Sequence, residues 1–172
     1  MEKKFELTDN FVINALGIKL FQIKCTKAFK NANEGDLGGY VEKEENLSQS
    51  GDAWVYGDAW VYGNAQVYGD ARVSGDAWVS GNARVSGDAW VSGDARVEND
   101  HMHCGFDCFG SCNRHTHAYM TNENKVEIRC GCFRGSIEEF ERKVKETHAG
   151  TIYEKQYKAI INLIKIKFGI DG

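Results

Sequence analysis

The sequence lacks several features that would assign it to a common functional class. No apolar run approaches the length of a membrane span, and the N-terminus has no basic segment followed by an apolar core, as a secretion signal would. Basic residues are not in excess, since the net charge is −4 and residues 99–172 carry eleven basic against ten acidic groups. These absences predict a cytoplasmic protein that has no membrane partner and no general affinity for nucleic acids.

Proline is also absent, whereas 19 glycines are present. Eight of these glycines open the units of a six-residue repeat, Gly-Asp/Asn-Ala-x-Val-Tyr/Ser, which runs from Gly51 to Val97. Alanine and valine are two residues apart, so they share one face of an extended chain, and Gly-Asp or Gly-Asn tolerates the positive φ of a corner. Six residues are too few for a hairpin unit, and a helix would scatter the alanine and valine around its axis. The repeat therefore predicts short strands joined by tight corners.

Three such six-residue sides would close one triangular coil, so that residue i lies above residue i+18. This pattern resembles the left-handed parallel β-helix of hexapeptide-repeat proteins, and we expect a mainly β fold of that kind. The predicted organisation is an N-terminal β-hairpin cap (1–40), the hexapeptide-repeat β-helix (41–98) and a Cys/His-containing ββαα domain (99–172). The step of eight residues from Leu47 to Val55 predicts a two-residue bulge at one corner.

Stacking at eighteen residues predicts two columns of outward-facing aromatic and basic side chains. These columns are Trp54-Arg72-Trp90 and Trp60-Trp78-Arg96. Guanidinium groups would lie on indole rings about 4.8 Å away, and each exposed cation–π contact contributes roughly 0.5–1 kcal/mol. Two interpretations stay open: the columns only support the coil from outside, or they form a flat wall that binds a ring-shaped ligand or a partner protein.

Outside the repeat, the apolar pattern predicts two strands at the N-terminus and a mixed C-terminal region. Alternating residues predict strands over 3–8 and 17–24, whose hairpin would cover the open end of the β-helix. Residues 99–112 are expected to form a loop, followed by a hairpin of strands 113–120 and 126–133. A symmetric hairpin would place Met120 opposite Val126 and Thr116 opposite Cys130, with His115 and His117 on the other face.

Two helices are predicted to follow this hairpin. Ser136 and Glu139 form a capping box at the start of the first helix, which ends near His148. Thr151 starts the second, which reaches about Phe168 and is apolar enough to close the rod or to form a homo-oligomer.

Cysteine and histidine are concentrated between residues 101 and 132. They are His101, His103, Cys104, Cys108, Cys112, His115, His117, Cys130 and Cys132. Zinc takes four nitrogen or sulfur ligands, commonly as two close pairs; Cys130 and Cys132 offer one pair, and Cys104, Cys108 and Cys112 offer the other. The spacings match no standard zinc finger, and on an apolar strand face cysteine behaves as a small hydrophobic residue. A structural zinc site and buried or free thiols both stay open, and a catalytic metal or nucleophile is disfavoured.

Three further segments resemble bacteriophage and prophage hexapeptide-repeat proteins, whose function is largely uncharacterised. They are Gly35-Asp-Leu-Gly-Gly-Tyr40, Gly110-Ser-Cys-Asn-Arg114 and the Cys-Gly-Cys-Phe run from Cys130 that continues to His148. The resemblance implies a phage setting, hence the cytoplasm of a bacterial host, and directs attention to the polar residues of the C-terminal domain. The candidate binding residues there are Asn113, Arg114, Thr116, Arg134 and His148.

The favoured hypothesis is a non-enzymatic, phage-encoded binding protein. It would act as a counter-defence inhibitor by occupying a host protein or by sequestering a small nucleotide signal, so its partner is a host protein or a small anionic ligand. The alternative is a structural spacer that assembles through its C-terminal helices. A hexapeptide-repeat acyltransferase is less favoured, because no histidine and no inserted loop interrupts residues 51–98.

Overall fold

The computed structural model describes residues 2–170, which divide between Asp100 and His101 into two compact units. The first unit consists of strands and one short 3-10 helix (Glu44–Asn46), and the second combines four strands with two α-helices. No helix of the described chain is long and apolar enough to cross a membrane.

The first unit is built around a parallel β-helix, which confirms the fold class expected from the repeat. Each six-residue unit contributes one two-residue strand, and the alanine and valine side chains of every unit are buried. The strands are β4 (Trp54–Val55), β5 (Trp60–Val61), β6 (Gln66–Val67), β7 (Arg72–Val73), β8 (Trp78–Val79), β9 (Arg84–Val85), β10 (Trp90–Val91) and β11 (Arg96–Val97).

Strands eighteen residues apart pair in parallel on three faces. The faces are β5-β8-β11, β4-β7-β10 and β6-β9, with Val61 beside Val79 and Val55 beside Val73. Backbone amides of each coil donate hydrogen bonds to carbonyl oxygens of the next coil, as in the bond of 3.0 Å from the Trp54 amide to the Ala71 carbonyl oxygen. The vertical registry predicted from the repeat is therefore correct.

One further coil precedes the regular repeat. Strand β3 (Leu37–Val41) pairs in parallel with β5, and Val41 lies beside Val61. Leu47 forms a parallel bridge with Val67. Both separations are twenty residues instead of eighteen, which locates the predicted two-residue bulge between Leu47 and Val55.

The N-terminal hairpin extends one face of the β-helix as a sheet. Its first strand, β1 (Phe5–Ile13), is longer than the sequence pattern indicated, and its second, β2 (Lys19–Cys25), lies close to the predicted range. Strand β2 pairs antiparallel with β3, so it covers the edge that the first coil would otherwise expose on this face. Strand β3 also spans residue 40, where the sequence suggested the end of the N-terminal segment.

On the other two faces, side chains satisfy the carbonyl groups at the open end of the β-helix. The Lys4 ammonium donates to the carbonyl oxygens of Ala53, at 2.9 Å, and Gly51, at 3.3 Å. The Asn46 amide donates to those of Ala65, at 2.9 Å, and Gly63, at 3.2 Å. Because unsatisfied buried carbonyls are costly, these two side chains replace the missing backbone donors of a preceding coil. Burial lowers the pKa of Lys4 to about 8.

The second unit has four strands where the sequence predicted two. Its elements are β12 (His103–Phe109), β13 (Arg114–Met120), β14 (Val126–Cys130), β15 (Phe133–Ser136), α1 (Ile137–His148) and α2 (Ile152–Phe168). The expected loop over 99–112 contains β12, and the expected strand over 126–133 is interrupted by Gly131, whose φ is +59°. The predicted register is confirmed, since Met120 pairs with Val126 and Thr116 with Cys130.

Both helices begin where the sequence predicted. The Ser136 hydroxyl accepts from the Glu139 amide at 3.2 Å, and the Glu139 carboxylate accepts from the Ser136 amide at 2.8 Å. The Thr151 hydroxyl accepts from the Glu154 amide in the same way at the start of α2. The buried apolar residues of the two helices and of strands β13 and β14 form one core: Ala118, Val126, Ile128, Cys130, Ile137, Phe140, Val144, Tyr157, Ile160, Ile161 and Ile164.

Candidate functional site

Trp54 does not belong to an exposed aromatic wall, contrary to the expectation from the repeat. The indole is only 1% exposed. Phe5 and Phe29 pack edge-on against it, with ring centroids 6.3 and 5.5 Å away. The N-terminal segment therefore covers this position and converts an outward-facing residue of the repeat into part of a core.

The column Trp60-Trp78-Arg96 forms as predicted, but its members occupy one another's ring faces. The indoles of Trp60 and Trp78 are stacked, 4.7 Å apart and 5° from parallel. The Arg96 guanidinium lies 4.0 Å from the centroid of the Trp78 ring. Both faces of Trp78 are thus covered from within the column, which leaves ring edges as the surface shown to solvent. Trp78 therefore supports the coil and offers little room for a stacked ligand ring.

The second column retains one of its two predicted cation–π contacts. The Arg72 guanidinium lies 5.3 Å from the Trp90 ring centroid, and the Trp90 indole nitrogen donates to the Ser74 hydroxyl at 3.0 Å. Trp90 and Arg72 are half-buried. These contacts hold adjacent coils together, so the column acts as an external support of the β-helix.

The six cysteines are free thiols in different environments. Cys130 is buried, whereas Cys132 is exposed in the turn at Gly131, so the two do not share a strand face as predicted. Cys108 and Cys112 are exposed, and Cys104 is half-buried, where burial raises the pKa of its thiol to about 11. Among residues 2–170, no three side chains of His, Cys, Asp and Glu are arranged to hold a metal ion.

His103, His115 and His117 lie on the sheet face opposite the thiol of Cys130, as the register predicted for His115 and His117. His103 Nδ1 and His117 Nε2 are 3.0 Å apart, and His115 Nδ1 lies 2.5 Å from the Asp107 carboxylate. Neither contact involves a cysteine, so the histidines and thiols form two separate groups.

A cleft of about 220 Å³ brings together several residues of the Cys-Gly-Cys-Phe region. We call it the C-terminal cleft. Its lining residues are Arg114, Cys130, Cys132, Phe133, Phe140, Lys143, Val144, Thr147, His148 and Tyr157. Strands β13, β14 and β15 and both helices thus contribute, and the positions from α1 recur at three- and four-residue spacing, which places them on one helical face.

Contacts among the lining residues fix the floor of the C-terminal cleft. The Phe140 ring packs against Phe133 and Tyr157, with centroid distances of 5.0 and 5.5 Å. The Tyr157 hydroxyl lies 3.7 Å from the Cys130 sulfur, to which the Thr116 hydroxyl donates at 3.3 Å. Burial, followed by the hydrogen bond with Cys130, raises the pKa of Tyr157, which therefore stays protonated.

Two residues of the cleft occupy space that is open only because a neighbouring position is glycine. A Cβ at Gly131 would overlap the Arg114 guanidinium, and a Cβ at Gly110 would overlap the Tyr157 hydroxyl. Both glycines also have positive φ, which favours glycine over other residues. The Gly110 amide donates to the Gln156 side chain on α2 at 3.0 Å, which fixes the loop before Arg114.

The rim of the cleft is basic. Arg114 and Lys143 are exposed, and His148 stacks on Tyr157 with ring centroids 5.5 Å apart. The neighbouring Cys112 sulfur raises the pKa of Arg114, which is charged in any case. None of the lining residues is acidic. The rim therefore favours an anion over a cation.

Of the five polar candidates in the C-terminal domain, Arg114 and His148 line the cleft. Thr116 is fully buried beneath it, Arg134 forms an ion pair of 2.7 Å with Glu127, and Asn113 is exposed in a turn with φ +47°. Sequence reasoning missed Lys143 and Thr147. They could have been found from their spacing, because residues four apart on α1 lie on one helical face, which here also carries His148.

Comparisons with known proteins bear on the repeat. A family model described as the YdcK beta solenoid repeat matches residues 65–81 and 77–93. No curated protein matches the chain. The matched residues cover successive strands and corners of the β-helix described above, so the repeat match and the structure agree. This chain is a β-helix repeat protein.

Proposed function

We propose that this protein is a non-enzymatic binding protein whose C-terminal cleft holds a small organic anion. The observation that supports this most is the charge of the cleft: the Arg114 guanidinium and Lys143, whose ammonium also lies 3.6 Å from Glu146, flank an aromatic floor, and no carboxylate lines it. Arginine favours phosphate and carboxylate groups because its planar guanidinium donates two parallel hydrogen bonds.

The size of the cleft narrows the ligand class. Pockets that enclose a whole small molecule usually measure about 300–1,000 Å³, whereas this one measures about 220 Å³. Only part of a nucleotide would therefore be enclosed. We infer that a planar ring packs on the partly exposed Phe133 while phosphate groups remain at the rim, within reach of Arg114 and Lys143.

The surroundings of the Cys130 thiol favour binding over catalysis. A nucleophilic cysteine requires a nearby base that takes its proton. The hydrogen-bond partners of the Cys130 sulfur are the hydroxyl groups of Thr116 and Tyr157, and Tyr157 stays protonated. In this arrangement the thiol acts as a buried packing group and as a hydrogen-bond acceptor.

In the phage setting that the Cys-Gly-Cys-Phe region implies, a protein of this kind would act by sequestration. A nucleotide signal of host defence would be bound without being consumed, so the protein would have to be abundant relative to the signal. Free ligand would fall by the amount of protein added, which distinguishes sequestration from enzymatic degradation.

Isothermal titration with inorganic phosphate, mononucleotides and cyclic dinucleotides tests the proposal. We expect binding of at least one nucleotide, recovery of the intact ligand after denaturation, and a loss of about tenfold or more in Arg114→Gln. Lys125→Gln is the matched control, because Lys125 is an exposed cation of the same unit that is paired with Glu123 in the β13–β14 turn. Absence of binding to all these anions, or equal affinity in the two variants, would contradict the proposal.

A structural spacer is the second candidate, and the self-packed column of Trp60, Trp78 and Arg96 favours it. Stacking and cation–π contacts between side chains of successive coils would stiffen a rod. Sedimentation velocity with no ligand present would support this function if the protein formed a dimer or trimer independent of concentration. A monomer that binds a nucleotide would exclude the spacer as the main function.

A further inference from the structure

Helix α2 carries a second apolar face that does not contribute to the core of its unit. The core face consists of Tyr157, Ile160, Ile161 and Ile164. On another side of the same helix, Ile152 is 60% exposed, Leu163 51% and Ile166 69%. With the exposed Ala159 these side chains form a line at spacings of seven, four and three residues, which we call the α2 stripe.

The geometry of the α2 stripe is that of a helix-docking surface. Apolar residues at these spacings lie on one side of a helix, and the stripe runs for about 21 Å, the rise of fourteen residues. Scattered single apolar residues are ordinary at protein surfaces, but an ordered line along a helix matches the pattern with which one amphipathic helix receives another.

The charges beside the stripe indicate the chemistry of the occupant. Lys155 and Lys167 flank it on opposite sides, and the whole helix carries four lysines against one glutamate. Two of these lysines are already paired, Lys158 with Glu154 and Lys165 with Glu141, each at 2.7 Å. A second copy of α2 would bring lysines towards lysines, which is unfavourable, whereas glutamate or aspartate on a partner would complement both flanks.

We propose that the α2 stripe binds an acidic amphipathic helix of a partner protein, with apolar side chains of the partner on Leu163 and Ile166 and its carboxylates near Lys155 and Lys167. Stable protein interfaces commonly bury about 1,600 Å². Four side chains on one helix supply only a small part of such an area, so the stripe forms a weak or transient contact unless neighbouring surface adds to it.

The test uses the full chain and a fluorescent synthetic helical peptide with leucine on one face and glutamate on its flanks. We expect fluorescence anisotropy to show binding that weakens as salt is added. The double variant Leu163→Ser/Ile166→Ser should lose at least tenfold in affinity, and Lys155→Glu should also bind more weakly. Leu16→Ser is the matched control, since Leu16 is 76% exposed in the other unit and should bind the peptide as the unsubstituted chain does.

Three results would overturn the proposal. The first is equal binding of a peptide that has lysine in place of glutamate. The second is self-association of the full chain that the double variant abolishes, because a second copy would then cover the stripe. The third is binding to phosphatidylserine vesicles, lost in the double variant, with no binding of the acidic peptide. Circular dichroism of every variant verifies that the helices remain folded.

Discussion

Replacing Trp54 tests whether the N-terminal segment belongs to the folded core of the β-helix. The side chain is 1% exposed and packs against Phe5 and Phe29. An aromatic side chain buries about 150–250 Å², which at about 25 cal/mol per Å² corresponds to roughly 4–6 kcal/mol. Because the cavity relaxes in part, we expect Trp54→Ala to lower the free energy of unfolding by about 3–5 kcal/mol.

Trp78→Ala is the matched control, since it removes the same side chain from a half-buried position of the column. The losses there are one stacking contact with Trp60 and one cation–π contact with Arg96, together about 1–2.5 kcal/mol beyond the loss from its smaller buried area. All four tryptophans lie between residues 54 and 90, so tryptophan fluorescence in urea reports on the first unit alone. Equal destabilisation by the two substitutions would refute the conclusion that Trp54 is a core residue.

Two further predictions concern the end and the corners of the β-helix. Burial lowers the pKa of Lys4 from 10.5 to about 8, so between these pH values the unfolded chain binds more protons than the folded one. The free energy of unfolding should therefore rise with pH over this range, relative to that of Lys4→Met. If urea titrations gave the same difference between the two proteins at every pH, the prediction would be wrong. Gly75 and Gly57 both have positive φ, but only at Gly75 would a Cβ meet backbone, 2.9 Å from the Gly93 nitrogen. Gly57→Ala should lower the free energy of unfolding by about 1 kcal/mol, and Gly75→Ala should lower it by at least about 1 kcal/mol more. Equal melting temperatures of the two variants would show that the corners of successive coils do not touch.

The β-helix was predictable because all of its determinants are local and repeated. Alanine and valine two residues apart define the inner face, and the next glycine defines the corner, so each unit of six residues specifies the same structure. Even the irregular step from Leu47 to Val55 could be located, because a bulge changes the spacing of apolar residues by a countable number. Repetition thus removed the ambiguity that a single short strand would have had.

The burial of Trp54 could not be predicted, because it depends on residues that are distant in sequence. Phe5 and Phe29 come from a segment without a repeat, and nothing local indicates which face of the β-helix they cover. The strand 103–109 was missed for a related reason. Its alternation is weak, since glycine and polar residues are interspersed, and it becomes a strand by pairing with β13, as where Cys104 lies beside Ala118.

The C-terminal cleft was predicted in part. Arg114 and His148 were identified from the resemblance to phage proteins, and the Cys-Gly-Cys-Phe motif supplies Cys130, Cys132 and Phe133. The expected common strand face of Cys130 and Cys132 does not form, because Gly131 adopts a positive φ and turns the chain between them. A glycine between two alternating residues is compatible with both a strand and a turn, so the sequence alone did not decide.

The different use of side chains in the two units suggests where a ligand binds. In the β-helix, inward side chains fill the core, and the outward aromatic and basic side chains of Trp60, Trp78 and Arg96 contact one another at the spacing of the coils. In the second unit, helices packed on a twisted sheet leave an aromatic depression with a basic rim. We therefore expect Trp78→Ala to reduce the stability of the first unit without changing the affinity of the C-terminal cleft for a nucleotide. A loss of affinity matching that of Arg114→Gln would instead place the ligand on the column.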